Sequence, residues 1–341
     1  MSMVTYVGLD VHLNSIAAAW GRLQEKPRNL IVPNTPAGLE ALVKAVGPGQ
    51  VWAVYEASSC GFGLFDELTR RGWKMSIVAP THIHRSVHAR KRKTDLRDAR
   101  RLWELILGHG ELGMDLPVVW IPPMKIRQDR EVIRRRLKLG ENLSRVKNGI
   151  LSLLRIQKAT RPESLKTLWS QKHIAWLRGL PLDPTVRPVL ASLVRELDFF
   201  IQELADLNAQ VEALAQEDPY REQVERMTQV KGVGTVTAMT YLLELGDVHR
   251  FGNRRQVACY LGLVPSSFES GEANNRKGHI THLGPARVRK VLNQAAWTLV
   301  RHDPRWREWY QAVATRRGAL KAIVGVARRL GIELWRRAKS A

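Results

Sequence analysis

Cysteine is nearly absent from this chain: Cys60 and Cys259 are the only two among 341 residues. They lie far apart and form no Cys-x-x-Cys pair. That excludes a disulfide scaffold and a cysteine zinc site, and it fits a reducing, cytoplasmic setting. No apolar run approaches the ~20 residues of a membrane helix, and no basic stretch leading into an apolar segment opens the chain. There is no Walker-type Gly-x-x-x-x-Gly-Lys motif, so chemistry driven by nucleotide hydrolysis is not expected. No C₂H₂ zinc finger or convincing homeodomain is present. Acid is also scarce: 32 Asp and Glu face 54 Lys and Arg, a formal net charge of +22. Such an excess favours a polyanionic partner, nucleic acid first.

The basic residues are clustered. Arg85–Arg101 holds eight Lys/Arg against Asp95 and Asp98, and Lys125–Lys147 holds nine against Asp129, Glu131 and Glu141. If six to ten of these meet phosphates, affinity should fall by about 10³–10⁵ between 50 and 200 mM salt.

Against this background, four acids occupy telling positions. Asp10 ends the apolar run from Val4 to Leu9, and Glu56 ends the run from Val51 to Tyr55. Asp95 and Asp98 stand three apart, one turn of a helix. Carboxylate oxygens suit hard cations such as Mg²⁺ or Mn²⁺, and two such ions can clamp both oxygens of a phosphoryl transfer. Taken alone, Asp95 and Asp98 read equally well as an acidic first turn that complements a helix dipole. Together with two strand ends they read as a metal site.

Pattern predicts three strands, Met3–Leu9, Ser15–Arg22 and Asn29–Val32, separated by short polar loops as in an antiparallel meander. A helix from Pro36 to about Ala45 follows, then a strand over 51–55, a helix near Phe62–Arg71 and a strand over Lys74–Val78. Three strands followed by alternating helix and strand is the order of an RNase H-like fold. The remainder reads as helical. An amphipathic helix covers 94–107, and a long basic helix runs from Ile126 to Gln157. A third helix, 186–216, carries leucines at spacings of three and four. That seam resembles a coiled coil and could set dimer geometry. Val230–Ala238, with Lys231, Gly232 and Gly234, reads as the hairpin of a helix-hairpin-helix element whose N–H groups could hold a phosphate; a plain packing corner is the alternative. Tyr260–Thr281 reads as a polar, glycine-punctuated loop with several serines. Cys259, next to Val257, Ala258 and Tyr260, is expected to be buried.

These residues together resemble the "one-ten" group of insertion-sequence transposases, the DEDD enzymes described as bridge-RNA-guided recombinases. The resemblance is carried by Val7-Gly8-Leu9-Asp10-Val11-His12, Tyr55-Glu56-Ala57-Ser58, Lys93-Thr94-Asp95-Leu96-Arg97-Asp98-Ala99 and Gly232-Val233-Gly234. It continues through Leu261–Pro265 leading to Ser270-Gly271-Glu272, then Ile280-Thr281, Gly284 and Arg287-x-Arg289. It runs in order over nearly the whole chain.

The resemblance implies an α/β plus α fold. A RuvC-like catalytic domain with its basic helical extension would occupy 1–157, a coiled-coil linker or dimerisation region 158–221, and a mainly helical transposase domain 222–341. It implies Asp10, Glu56, Asp95 and Asp98 as metal ligands and Ser270 as the covalent nucleophile, with Ser266 and Ser267 as weaker candidates. Many members have Ser-Ser-Gly where this chain has Glu269-Ser270-Gly271. It further implies donor and target DNA, a structured guide RNA, and a homo-oligomer, at least a dimer and a tetramer when active. Nucleic-acid contacts are expected at Arg90, Lys91, Arg92, Lys93, Arg134, Arg135, Arg136, Lys231, Gly232, Gly234, Arg276, Lys277, Arg287, Arg289 and Lys290. Three other readings stay open at this point: a DNA invertase of the same family, a Holliday-junction resolvase or nuclease using only the acids, and a non-enzymatic packaging protein.

Overall fold

A computed structural model describes residues 4–80, 94–270 and 273–340, without side-chain detail over 267–277. The chain divides into two compact units, Met1–Ile121 and Pro122–Ala341.

The first unit is built on a five-stranded sheet. Strands β1 (Thr5–Val11), β2 (Ser15–Gly21) and β3 (Arg28–Pro33) form the antiparallel meander. Helix α1 (Pro36–Val46) has Pro36 in its first turn, and the Thr35 hydroxyl accepts from Gly38 N at 3.2 Å, a standard way to satisfy an orphan N–H. Strand β4 (Val51–Glu56) then lies parallel to β1. After helix α2 (Gly63–Arg70), strand β5 (Lys74–Val78) lies parallel to β4. The spatial order is β3-β2-β1-β4-β5. Helix α3 (Asp95–Leu112) completes the unit.

Alternation along the strands decides which face each residue serves. Val7, Leu9 and Val11, with Ala53 and Tyr55, bury against Leu39 and Leu42 of α1 and Leu68 of α2. Tyr6 and Val54 turn the other way and pack with Ala99, Leu102, Trp103 and Ile106 of α3. Gly8 lies on that second face. A Cβ there would stand 2.1 Å from Trp103 N and 2.2 Å from Ala99 O, so only glycine lets α3 approach this closely. The same helix is tied down by Tyr6, whose hydroxyl donates to Glu111 at 2.8 Å, and by Trp103, whose indole N–H donates to Gly21 O at 3.3 Å. Burial and the Glu111 carboxylate push the Tyr6 hydroxyl up to about 12.

The second unit is mostly helical. Helices α4 (Met124–Ile156) and α6 (Arg187–Ala215) pair antiparallel, with Gly149 near Leu193 at one end and Arg136 hydrogen-bonded to Asn208 at the other. Short helix α5 (Gln171–Gly179) closes the same cluster. The leucine seam of α6 therefore buries against the chain's own α4. Leu190, Leu197 and Leu204 share one apolar cluster with Leu139, Val146 and Ile150. Ile201 on the same helix stays exposed.

Helices α7 (Arg221–Thr228) and α8 (Thr235–Leu245) flank the Gly232–Gly234 turn. Gly232 has φ 84°, and a Cβ on it would lie 2.9 Å from Ala295 O of α10 (Ala286–His302). The packing requirement at this glycine matches the corner alternative. Helix α9 (Arg254–Tyr260) precedes the segment expected as a loop, which instead forms a hairpin of β6 (Pro265–Ser270) and β7 (Ala273–Ile280). A two-stranded ribbon pairs through backbone groups, and these leave no mark in hydropathy. Helices α11 (Pro304–Arg317) and α12 (Ala319–Lys339) end the chain. No helix is long and apolar enough to cross a membrane among the described residues.

Candidate metal centre and serine hairpin

The register of β1 and β4 sets Leu9 beside Tyr55. One residue further along each strand stand Asp10 and Glu56, both on the face that receives α3. The sequence placed Asp10 just after its strand; the strand in fact runs one residue beyond it, to Val11. Asp95 and Asp98 occupy the first turn of α3. They reach the strand end because β1 and α3 run in opposed directions: Tyr6 meets Glu111, Gly8 meets Ala99 and Trp103, and Asp10 comes near Asp95.

His12 joins the cluster. Its Nε2 lies 3.2 Å from Asp10 Oδ2 and 3.4 Å from Asp95 Oδ1. Donor atoms of Asp10, His12 and Asp95 all fall within 4.8 Å of one another. The Asp10 carboxyl is held above its ordinary range, first by burial and then by the nearby charges of Asp98 and Asp95, with His12 pulling the other way. Asp10 thus feels both α3 carboxylates. Such an accumulation of negative charge is what a divalent cation relieves, and the two carboxylates offer the oxygen ligands that Mg²⁺ and Mn²⁺ prefer. Sequence reasoning passed over His12, which lies just beyond the end of β1 at Val11.

In the second unit, Ser270 is the last residue of β6, paired across the ribbon with Ala273. Its side chain, and those of Ser267, Arg276 and Lys277, lie outside the described detail, as do residues 271 and 272. Ser266 is described: its hydroxyl donates to His279 O at 3.1 Å and so serves the ribbon. The base of the hairpin is clamped. Gly284 has φ 108°, and a Cβ there would stand 1.9 Å from Tyr260 O; one at Gly262 would stand 2.3 Å from Leu283 O. Arg289 Nη1 donates across this junction to Gly284 O at 2.9 Å and Leu261 O at 3.2 Å. The glycines and the arginine are one structural device. Cys259, expected to be buried, is exposed. Val257, Ala258 and Leu261 share the inward face of this turn, and Cys259 falls on the other side.

The basic residues divide by helix face. Arg134 grips Glu244, a buried carboxylate near the end of α8, at 2.9 and 3.0 Å. Arg136 donates to Asn208, and Lys290 pairs with Glu141 at 2.8 Å. Arg287 lies 3.8 Å from Glu244. Lys231 reaches His302 O at 3.3 Å. The expected Arg134–Arg136 and Arg287–Lys290 runs thus divide by helix face: Arg134 and Arg136 turn toward protein partners, while Arg287 and Lys290 pair with carboxylates yet keep about half of their side chains exposed. Arg135 stays exposed, and so does Gly234. Arg90–Lys93 lie outside the described residues. Exposed cations that the sequence reading left out cluster on the last two helices. Among the described residues, Arg305, Arg316, Arg317 and Lys321 form no ion pair, and the Arg329 guanidinium stacks 4.0 Å over the Trp309 ring.

Residues 7–157 match a DEDD transposase model of the IS110 type, and residues 224–311 match one described as "Transposase IS116/IS110/IS902 family". "Putative transposase y4qE" of Sinorhizobium fredii is 31% identical over 306 residues, covering 88% of this chain and 73% of that protein. The chain belongs to the IS110/IS116/IS902 transposase family. The transposase for insertion sequence element IS1533 of Leptospira borgpetersenii is 24% identical over 303 residues, covering 87% of this chain and 86% of its own. That for IS1111A of Coxiella burnetii is 24% identical over 271 residues, covering 77% and 71%. Family membership makes this an insertion-sequence transposase that acts on DNA, and its DEDD domain implies use of a divalent metal.

Proposed function

We propose that this transposase cleaves and exchanges DNA strands through a covalent serine–DNA intermediate. Asp10, Glu56, Asp95 and Asp98 would hold Mg²⁺ or Mn²⁺, and Ser270 would be the nucleophile. The observation that carries the reading is the convergence of β1, β4 and the first turn of α3, with Asp10 and Asp95 bridged by His12. The sheet order β3-β2-β1-β4-β5, with β1 antiparallel to β2 and parallel to β4, supports an RNase H-like, RuvC-type domain.

In the cleavage step the Ser270 hydroxyl oxygen bonds to phosphorus and the bond to one deoxyribose oxygen breaks. The hydroxyl proton leaves to a base or solvent, and the departing sugar oxygen takes up a proton. The product is a phosphoserine diester beside a free sugar hydroxyl. Bound cations would supply Lewis acidity at the phosphate. Attack by another strand's hydroxyl on the phosphoserine reverses the chemistry and restores a phosphodiester, with no need for ATP. Because a serine hydroxyl is a weak nucleophile until activated, the carboxylate and serine regions must act together. A dimer, or a tetramer when active, is the arrangement we favour.

Targeting falls to a structured RNA in this reading, with base pairing choosing the DNA and the protein's cations holding backbone. Its support is the family likeness and the exposed positive charge at Arg135 and on α11 and α12.

The test is a denaturing gel after incubation with substrate DNA, RNA and Mg²⁺. Wild type should leave protein attached to DNA. Ser270→Ala should bind nucleic acid normally and form no adduct, and Asp10→Asn should bind and not cleave. Free DNA ends without adduct would favour the nuclease or resolvase reading. An adduct mapped to Ser266 or Ser267 would move the nucleophile.

A further inference from the structure

We propose that His12 is an inner-sphere ligand of the catalytic cation and tilts the site from Mg²⁺ toward Mn²⁺. The inference rests on the carboxylate metal site proposed above and adds a residue and a selectivity to it.

The position of His12 is built rather than incidental. Its backbone N–H donates to Ser15 O at 2.9 Å, and its carbonyl accepts from the Asn34 side-chain amide at 2.8 Å. Those two bonds fix the turn that leaves β1 and present the imidazole back toward Asp10. Nε2 then stands 3.2 Å from one carboxylate oxygen and 3.4 Å from another, on two different elements. Adjacent ligands of an octahedral ion with bonds of about 2.1 Å lie roughly 3 Å apart. Nε2 thus already stands near the spacing of a neighbouring ligand position to each carboxylate oxygen, and all three donor atoms lie within 4.8 Å of one another. The ring keeps 41% of its side-chain surface exposed, so the side away from the aspartates is open to substrate or water.

Ligand chemistry supplies the selectivity. Mg²⁺ demands oxygen ligands and dehydrates reluctantly, whereas imidazole is a good ligand for transition ions. A nitrogen in the first sphere stabilises Mn²⁺ relative to Mg²⁺, while Asp10 and Asp95 serve both.

The experiment uses the full-length protein, grown with ¹⁵N-histidine or unlabelled, and titrated with Mn²⁺ alone and then in competition with Mg²⁺. Pulsed EPR of the bound Mn²⁺ should show a directly coordinated nitrogen whose coupling changes from the ¹⁴N to the ¹⁵N pattern on labelling. His12→Ala and His12→Asn should both lose that coupling, and the Mn²⁺ to Mg²⁺ affinity ratio should fall at least tenfold. Bound Mn²⁺ without nitrogen coupling in wild type, or an unchanged ratio in both variants, would overturn the role of His12 while leaving the carboxylate site intact. Equal Mn²⁺ binding by wild type and Asp10→Asn would instead remove the carboxylate site, and His12 with it.

Discussion

Gly8 sets how closely α3 approaches β1, and Gly8→Ala tests whether that approach positions the proposed metal site. The added methyl would sit 2.1 Å from Trp103 N and 2.2 Å from Ala99 O, both backbone atoms of α3. Backbone within a helix cannot swing aside as a side chain can. To recover an ordinary contact of 3.4 Å, α3 must retreat from β1 by more than an ångström. Overpacking of this kind costs about 1–3 kcal/mol. The larger effect is on chemistry, because Asp95 and Asp98 ride on the first turn of the same helix. Their carboxylates would leave Asp10 by a similar distance, and a misplacement near 1 Å can cost about 10² in rate.

The assay is single-turnover DNA cleavage together with Mn²⁺ affinity, with circular dichroism to confirm folding. Gly8→Ala should fold, melt a few degrees lower, lose at least tenfold in Mn²⁺ affinity and about a hundredfold in cleavage. Gly21→Ala is the control. A Cβ there first meets Pro27 Cα at 3.5 Å, an ordinary contact, so activity should hold. Gly8→Ala protein that cleaves like wild type would refute the idea that contact between β1 and α3 sets the site.

Three other outcomes follow from the same structure. Glu244→Ala leaves Arg134 without its buried partner and should cost roughly 2–3 kcal/mol, less than the ~3–5 of a fully buried pair because Arg134 keeps about a third of its side chain in water; differential scanning calorimetry showing no loss would mean that water replaces the pair. Arg289→Ala removes the clamp at Leu261 O and Gly284 O and should abolish adduct formation while leaving Mn²⁺ binding unchanged, and a normal adduct yield would separate the hairpin's function from its base. Asp10→Asn should stabilise the metal-free protein at neutral pH. The Asp10 carboxyl is held above its unfolded value, so the folded state binds that proton more tightly, and this contribution, full below the unfolded value near ~3.9, is lost as pH rises through the folded one. Urea titrations at pH 3 and pH 7 should therefore show the gain at pH 7 only, and an equal gain at both would point to a packing effect.

The first unit was legible because its code is short-range. Period-two burial, Pro36 after Thr35 and glycine at the turns fixed five strands and three helices within a few residues, with Lys74–Val78 matched at both ends. Asp10 and Glu56 could be placed on one face of the sheet because alternation along β1 and β4 dictates it, and Asp95 reaches Asp10 from the first turn of α3. His12 was missed because it lies beyond the end of β1 at Val11, where the turn bonds to Ser15 and Asn34 rather than strand alternation aim its ring at Asp10. The second unit resisted for a different reason. A run of arginines has one composition and several fates, and only the docking of α4 against α8 decides that Arg134 turns to Glu244 while Arg135 faces water. Equally, the α6 seam specified that it needed a partner helix without specifying which. The chain's own α4, 33 residues long and antiparallel to it, satisfies that need. The part of the helix that α4 leaves uncovered, Phe199 and Ile201, stays exposed. For the proposed serine chemistry, adduct yield measured against protein concentration, with nucleic acid held saturating, is the quantity that reports assembly. Yield that rises with the square of protein concentration at the dilute end would mark two protomers per active unit, and strictly first-order yield would mean that one chain completes its own site.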